Sequence, residues 1–378
     1  MNNIVVIFGG KSTEHEISIL SAMQVLENLD KSKYNIIPIY IDKNGEWWSG
    51  KKLCQIDSYK KFNTNGLFNV TILPNSNFLY KKKLGMFAKF KKIDCVLTIM
   101  HGFNGEDGTL QGLLELSNIP YTSSGVLASS VGMSKLLQKN VFESIGLSVV
   151  PYVILTKTEY LRQNKKIKLE KFLCPVIVKP NSLGSSIGVS ICKKQKELVN
   201  ALDLAFKFDE VVIIEKFVKN LTEVNISVMG DKTNIQLSET EQPQTASEFL
   251  DFNSKYLSGS KGTKCSSKKV NSNGLENLSR IIPAKISENT RKQIYDYAKK
   301  IFLHLNCKGV IRIDFILDKN KKLYVNEVNT IPGSLAYYLW KPKGIGFNKL
   351  LDTLINIAIK DVKEKQKIKL TLDNQILK

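Results

Sequence analysis

The chain opens on Asn3 to Phe8 (NIVVIF), an apolar run that stops abruptly at Gly9-Gly10 and reads as a buried strand. From Ser12 to Asn28 the residues Ile19, Leu20, Met23 and Leu26 recur at helical spacing and fall on one helix face. Tyr34 to Ile41 (YNIIPIYI) is the next apolar run. Strand, glycine turn, helix and strand in that order imply a parallel sheet with helices laid against it. Asp94 to Met100 (DCVLTIM) adds a further buried strand, and the Gly-rich loop His101–Gly108 follows at its C-terminal end, where open α/β sheets bind ligands.

The rest of the chain continues in the same style. Asp42 to Gly45 form a turn before Trp47-Trp48, and residues 50–92 are basic and irregular with no assignable element. Helical patterns cover Leu110–Leu116 and Ala128–Ser144, the second carrying Lys135 and Lys139. Strands Val176–Pro180 and Val189–Cys192 flank the loop Asn181–Gly188, and a helix over Glu197–Phe206 precedes strands Val211–Glu215 and Asn225–Met229. Residues 243–285 are polar and rich in Ser, Lys, Asn and Gly, which leaves either a functional lid or a disordered segment. A helix over Glu288–Leu305, a hairpin of Gly309–Leu317 with Leu323–Val328, and a helix over Leu350–Lys365 complete the chain. A length of 378 residues suggests two or three domains.

Composition removes several classes. No run of about 18 apolar residues is present, so no membrane-spanning helix is expected. MNNIVVIFGG lacks a basic n-region and does not read as a signal peptide. Six cysteines without a CxxC pair point to reduced, buried thiols, and three widely spaced histidines argue against a zinc site. The net charge is +20, but the lysines are scattered, with short runs at Lys81–Lys83 and Lys91–Lys92 that are not interleaved with aromatics in a nucleic-acid-binding pattern. Neither a nucleic acid nor a membrane is expected as a partner.

Four groups carry chemistry. Lys179 stands at a strand end before the loop NSLGSSIG, whose Gly184, Ser185, Ser186 and Gly188 can turn tightly and present N–H groups to phosphate. The loop is not a Walker A sequence, and on spacing alone a flexible hairpin turn stays open. In R-I-D-F and E-V-N, alternation puts Arg312 with Asp314, and Glu327 with Asn329, on faces that a hairpin can bring together. Two carboxylates and a carboxamide oxygen suit Mg²⁺ beside a phosphate, and Arg312 can neutralise a transferring phosphoryl group. The alternative is an exposed polar strand face, but the neighbours Val310, Ile311, Ile313, Phe315, Val325 and Val328 are apolar. Glu14, His15, Glu16 and Ser18 open the first helix. They suit either capping, with Ser12 or Thr13 as N-cap, or an ammonium site. His101, with Gly102, Gly105, Glu106, Asp107 and Gly108, is as readily structural as functional.

Together these groups resemble the D-alanine–D-alanine ligase family of ATP-grasp enzymes. FGGKSTEHEIS resembles the family's N-terminal signature, and HGFNGEDGTLQGLLELSNIPYTSSGV its second. PVIVKPNSLGSSIGVS, IEKFVKNLTEVNISV, RIDF and NEVNTIPG resemble its ATP and metal motifs, in order, over essentially the whole chain. The resemblance implies an α/β fold: an N-terminal open parallel α/β domain over 1–125, then a two-part ATP-grasp fold over 126–217 and 218–378, with ATP between two sheets and a lid at about 243–285. It implies that Lys135, Lys179 and Ser186 meet the ATP phosphates, that Glu215, Lys216 and Val218 form the adenine hinge, and that Glu223 binds ribose. Asp314, Glu327 and Asn329 match the ligands of Mg²⁺ (or Mn²⁺), while Arg312 and the Gly333 backbone match the groups that stabilise a tetrahedral intermediate. Glu16 would bind the first substrate's ammonium near His101, with Ser185 and Tyr256 linking it to the lid that carries Lys255. The Lys255-Tyr256 pair implies an amine acceptor.

One departure concerns the second substrate. After NTIPG the chain reads Ser334-Leu335-Ala336-Tyr337-Tyr338-Leu339-Trp340, and Tyr338 stands where the family carries an acceptor-binding serine. Ser334 and Leu335 are the candidates to replace it; an aromatic pair packed into a core is the other reading. The expected function is ATP-dependent joining of two D-alanine molecules, through an acyl phosphate, for peptidoglycan precursors, by a cytoplasmic homodimer. The alternatives are a ligase with another acceptor, such as D-serine, and a non-catalytic nucleotide-binding regulator. The intact set of Lys179, Arg312, Asp314, Glu327 and Asn329 argues against the last.

Overall fold

The computed structural model describes residues 1–163, 174–244, 280–372 and 376, so Lys255, Tyr256 and most of the expected lid lie outside the described residues. Strands β1 (Asn2–Gly9) and β2 (Tyr34–Ile41) pair in parallel, and helix α1 (His15–Asn28) connects them. β3 (Trp47–Ser49) follows, and residues 50–92, expected to be irregular, hold β4 (Phe68–Ile72), β5 (Phe78–Lys83) and β6 (Met86–Lys92), all antiparallel, before β7 (Cys95–Met100) returns to pair in parallel with β1. The first sheet, ordered β6-β5-β4-β3-β2-β1-β7, is therefore mixed rather than all parallel. The cause is local: Leu84-Gly85, with φ of 49° and 81°, closes a two-residue hairpin, which leaves no length for a parallel crossover. Every residue of the edge strand β6 is exposed. In α1, Ile17, Ile19, Ala22, Met23, Val25 and Leu26 are buried, whereas Leu20 faces outward.

After α2 (Thr109–Leu116) the expected single helix is split into α3 (Val126–Met133) and α4 (Lys135–Ser144), because Ser134 leaves helical geometry and accepts the Leu137 N–H as an N-cap at 3.3 Å. Strand β8 (Tyr152–Thr156), helix α5 (Lys157–Arg162), β9 (Val176–Pro180), β10 (Ser190–Cys192), helix α6 (Leu198–Ala205) and β11 (Val211–Lys216) form a four-stranded sheet ordered β10-β9-β11-β8. Then β12 (Thr222–Asp231), β13 (Asn234–Pro243), β14 (Arg280–Ile281), helix α7 (Glu288–His304), β15 (Gly309–Leu317) and β16 (Leu323–Asn329) give a five-stranded sheet ordered β14-β13-β12-β15-β16. Helix α8 (Phe347–Lys365) ends the regular structure. Among the described residues, no helix is long and apolar enough to cross a membrane. Cys54, Cys95, Cys174, Cys192 and Cys307 are free thiols, and burial pushes Cys95 and Cys307 up to about 12.

The cores do not follow chain order. One core joins β1, β7, α1 and α8 with Ile331, Leu335 and Trp340, and includes Met229 and Val310 of the five-stranded sheet. Helices α3 and α4 send Ala128 and Phe142 into the core of the five-stranded sheet. The four-stranded sheet closes a separate core drawn from residues between Leu155 and Ile214.

Candidate active site

Two adjoining cavities lie where the three sheets meet. The wider, about 720 Å³, separates the four-stranded from the five-stranded sheet and is within the range of a nucleotide-sized ligand site. Val150, Ile177, Phe217, Leu221 and Ile316 give it an apolar slot, and Lys216, Val218 and Glu223 also line it. The floor carries a buried charge cluster. Lys179 Nζ on β9 donates to Glu215 Oε2 on the adjacent β11 at 2.6 Å, and Lys139 Nζ on α4 lies 2.8 Å from Glu215 Oε1. Burial alone would raise the Glu215 carboxyl, but the Lys139 and Lys179 ammonium groups outweigh it and hold it at about 2. Burial works to lower Lys179, and the Glu215 carboxylate overrides it and raises the ammonium. Lys139 was named in the helix but not as a site residue; its i+4 spacing from Lys135, which puts both on one face, was the available signal.

Lys135 begins α4, where its N–H meets the Asn181 carbonyl at 3.0 Å and its Nζ donates to the Leu183 carbonyl, 3.7 Å from Glu327 Oε2. Burial depresses this lysine, with Glu327 opposing. In the loop between β9 and β10, Ser185 and Ser186 hold φ of 52° and 60°. A Cβ at Gly184 would stand 2.9 Å from the Glu14 carboxylate, so glycine is what lets that carboxylate approach the loop.

The hairpin β15–β16 brings its polar residues face to face: Asp314 pairs with Glu327, and Arg312 with Asn329. Arg312 grips Asp314 with both ends of its fork, Nε to Oδ1 at 2.7 Å and Nη2 to Oδ2 at 2.8 Å, and Asn329 Nδ2 donates to Asp314 Oδ2 at 3.2 Å. Among the described residues no group of three His, Cys, Asp or Glu side chains gathers to hold a metal. The available donors are two carboxylates and one carboxamide oxygen, hard ligands that match the habit of Mg²⁺ to take one or two carboxylates and complete its shell with substrate phosphates and water.

The smaller cavity holds about 150 Å³, comparable to a cavity that takes benzene, and suits small molecules. Here the sequence reading of Glu16 needs correction. Glu16 is exposed and paired with Lys43 at 2.5 Å, whereas Glu14 is buried, lines the cavity and accepts a hydrogen bond from the Ser185 hydroxyl. Glu14 is the N-cap residue of α1; two positions further on, a side chain has turned by about 200° and faces away. No side chain of Ser12 or Thr13 caps the helix, although Ser12 Oγ accepts the Glu14 N–H at 3.1 Å.

His101 lines this cavity with Nε2 3.2 Å from Ser21 Oγ, and burial lowers it to about 4, so the ring is neutral near pH 7. Glu106 was not singled out within its loop. It accepts the Gly102 N–H at 2.8 Å and the Ile331 N–H at 3.1 Å, and burial together with the nearby Glu14 charge pushes it up to about 8. Gly333 borders the cavity. Ser334 and Leu335 do not: Leu335 packs into the core, and Ser334 is buried with its N–H on Ser21 Oγ at 3.2 Å. The reason is backbone geometry. Ser334, Leu335 and Ala336 hold φ of 50°, 52° and 50°, a left-handed turn that directs Leu335 and Ala336 inward and carries Tyr338 to the cavity wall. Tyr338 donates to Glu241 Oε1 at 3.0 Å and lies under the Arg280 guanidinium at 3.9 Å.

Comparison with known proteins agrees with this geometry. Residues 3–124 match a family model described as "D-ala D-ala ligase N-terminus", and residues 141–356 match "D-ala D-ala ligase C-terminus". A D-alanine--D-alanine ligase of Thermosipho africanus is 41% identical over 378 residues, covering 100% of this chain and 98% of the relative. Among solved structures, the D-alanine-D-alanine ligase of Coxiella burnetii superposes with a TM-score of 0.79 at 30% identity, covering 97% of this chain and 96% of its own. A D-alanine--D-alanine ligase of Bacillus anthracis complexed with ATP does so with a TM-score of 0.66 at 27% identity, covering 97% and 100%.

Proposed function

The chain belongs to the D-alanine–D-alanine ligase family, and on that footing we infer that it joins two D-alanine molecules at the expense of ATP, making D-alanyl-D-alanine for peptidoglycan. The observation that carries this reading is the shared wall of the two cavities: Lys135, Leu183, Gly184, Ser185, Glu223 and Glu327 line both. A nucleotide with its base in the apolar slot would bring its terminal phosphate to that wall, against an amino acid in the smaller cavity. Ser186, Glu215, Lys216, Val218 and Glu223 are the nucleotide contacts in this reading.

Glu14, oriented by Ser185, holds the ammonium of the first D-alanine. The D-alanine carboxylate attacks the γ-phosphorus; the P–O bond to ADP breaks and D-alanyl phosphate forms. Lys135 and Lys179 balance the phosphate charge. A divalent cation, Mg²⁺ or Mn²⁺, held by Asp314, Glu327 and Asn329, would supply further neutralisation of the phosphates. The second D-alanine, as free amine, attacks the acyl carbon. The oxyanion is stabilised by Arg312 and the Gly333 backbone; C–O then breaks, phosphate leaves and takes up the proton released by the amine nitrogen, and the peptide bond remains. His101, neutral in its buried setting, brings no charge of its own to the cavity. A cytoplasmic homodimer is the state in which we expect the enzyme to work.

The test is phosphate release from ATP and Mg²⁺ with single amino acids and pairs, with products identified by mass. D-Alanine alone should give D-alanyl-D-alanine. A product formed only with D-serine or another partner would move the acceptor, and silence with every pair would overturn the reading.

The correction at the first helix makes a paired prediction. Glu14→Gln should cost about 10- to 100-fold in kcat/KM for D-alanine, the worth of a charged hydrogen bond in a dry site. Glu16→Gln should stay within about 2-fold, because an exposed ion pair is worth about 0–1 kcal/mol. Steady-state kinetics of the two variants decide between the two carboxylates, and the reverse ranking would restore Glu16.

A further inference from the structure

The second amino acid brings a carboxylate into a cavity lined by Glu14, Glu106, Glu223, Glu241 and Glu327. Such a group needs a cation to offset that field. Among the described residues, the cations on that wall are Lys135, Arg280 and Arg312. Lys135 faces Leu183 and Glu327 on the nucleotide side. Arg312 is gripped by Asp314 at both ends of its fork. Arg280, on β14, pairs with Glu241 at 3.3 Å, and its side chain is 13% exposed.

The departure after Gly333 explains why an arginine would be needed here. Tyr338 stands at the position of the family's acceptor serine, but its hydroxyl gives its one proton to Glu241 at 3.0 Å. Its ring instead supports the Arg280 guanidinium at 3.9 Å. Glu241 is buried, accepts from Arg280 Nη1 at 3.3 Å and from Asn225 Nδ2 at 3.2 Å, and so fixes the guanidinium from a second side. A guanidinium carries five N–H donors in a rigid plane, and a plane stacked on a ring and bonded to a carboxylate has already lost much of its rotamer freedom.

We propose that Arg280, held by Tyr338 and Glu241, is the group that binds the carboxylate of the acceptor amino acid in this enzyme, in place of the family's serine. The proposal rests on the reading that the smaller cavity takes both amino acids. Arg280 is a binding residue, and Tyr338 and Glu241 position it. The acceptor must then be an α-amino acid with a free carboxylate.

The experiment compares D-alanine with D-alaninamide as acceptor, in the presence of D-alanine as donor, in wild type, Arg280→Gln, Arg280→Lys and Tyr338→Phe. Thermal melts check that each variant is folded. Wild type should favour D-alanine over the amide. In Arg280→Gln the KM for acceptor D-alanine should rise by about 10- to 100-fold and the preference over the amide should collapse, with KM for ATP and for the donor D-alanine unchanged. Arg280→Lys, which keeps charge without the planar fork, should recover part of the preference. Tyr338→Phe keeps the ring and should change the preference by less than about 3-fold. An Arg280→Gln enzyme that retains its acceptor KM and its preference overturns the proposal while leaving the ligase reading intact. So does a variant that loses D-alanine and the amide equally, or a Tyr338→Phe enzyme that alone loses the preference. A wild type that makes no dipeptide overturns both.

Discussion

Glu327→Gln is expected to lower ATP turnover by about 10²- to 10³-fold while the protein keeps its fold. The amide has the shape of the carboxylate but not its charge. Across the hairpin, Asp314 is gripped by the Arg312 guanidinium, so Glu327 is the second of only two carboxylates in the hard-oxygen set, and the amide removes its charge. Lys135, 3.7 Å away, would lose a counter-charge as well. The Glu327 side chain is 25% exposed and Lys135 keeps its bond to the Leu183 carbonyl, so the fold should tolerate the amide. Phosphate release measured against Mg²⁺ concentration, with Mg²⁺-dependent nucleotide binding as an independent readout and a melt as control, tests this. Undiminished turnover and an unchanged Mg²⁺ dependence would remove Glu327 from the cation site.

Glu215→Gln should instead be felt as instability, by about 3–5 kcal/mol, the cost of breaking a buried ionic cluster by removing one partner. That is a large share of a native stability of about 5–15 kcal/mol. The variant leaves Lys139 and Lys179 facing each other across a neutral amide in a site almost closed to water. Urea unfolding at neutral pH reads the loss directly. Linkage gives a second signature. The Glu215 carboxyl falls from its ordinary 4.5 to about 2 on folding, so its contribution is fully present above 4.5 and is lost as pH falls from there towards 2. Wild type should lose stability through that window more steeply than Glu215→Gln. Coincident unfolding curves at neutral pH would mean that the cluster contributes nothing net to the fold.

The hairpin carrying Arg312, Asp314, Glu327 and Asn329 was legible because charges at period 2 inside an otherwise apolar run can only share a face of a buried sheet. The Glu14 site was half legible. Two acids open α1, and what selects between them is Gly184 and Ser185, some 170 residues away in sequence. Strands β5 and β6 were illegible because every residue of β6 is exposed, so its sequence MFAKFKK carries no apolar alternation. The turn at Ser334–Ala336 could not be foreseen either: none of its residues is one that favours positive φ, and its shape is imposed by the burial of Leu335, Ala336 and Trp340. Arg280 sits in a two-residue strand beside a long polar stretch, where no periodicity marks it.

Met229 and Val310 share a core with the first sheet, α1, α8 and Trp340, and closely packed side chains do not slide past one another. Two of the three sheets are thereby welded into a single heavy jaw. The four-stranded sheet, with its own core, is a light jaw, joined to the heavy one at the site by polar contacts: Lys139 to Glu215, Lys135 to Asn181, and Ser185 to Glu14. Lys179, Glu215 and Ser185 therefore belong to one jaw and Glu14, His101 and Gly333 to the other, so any change in the tilt between them would alter the phosphate seat and the Ser185 hold on Glu14 together.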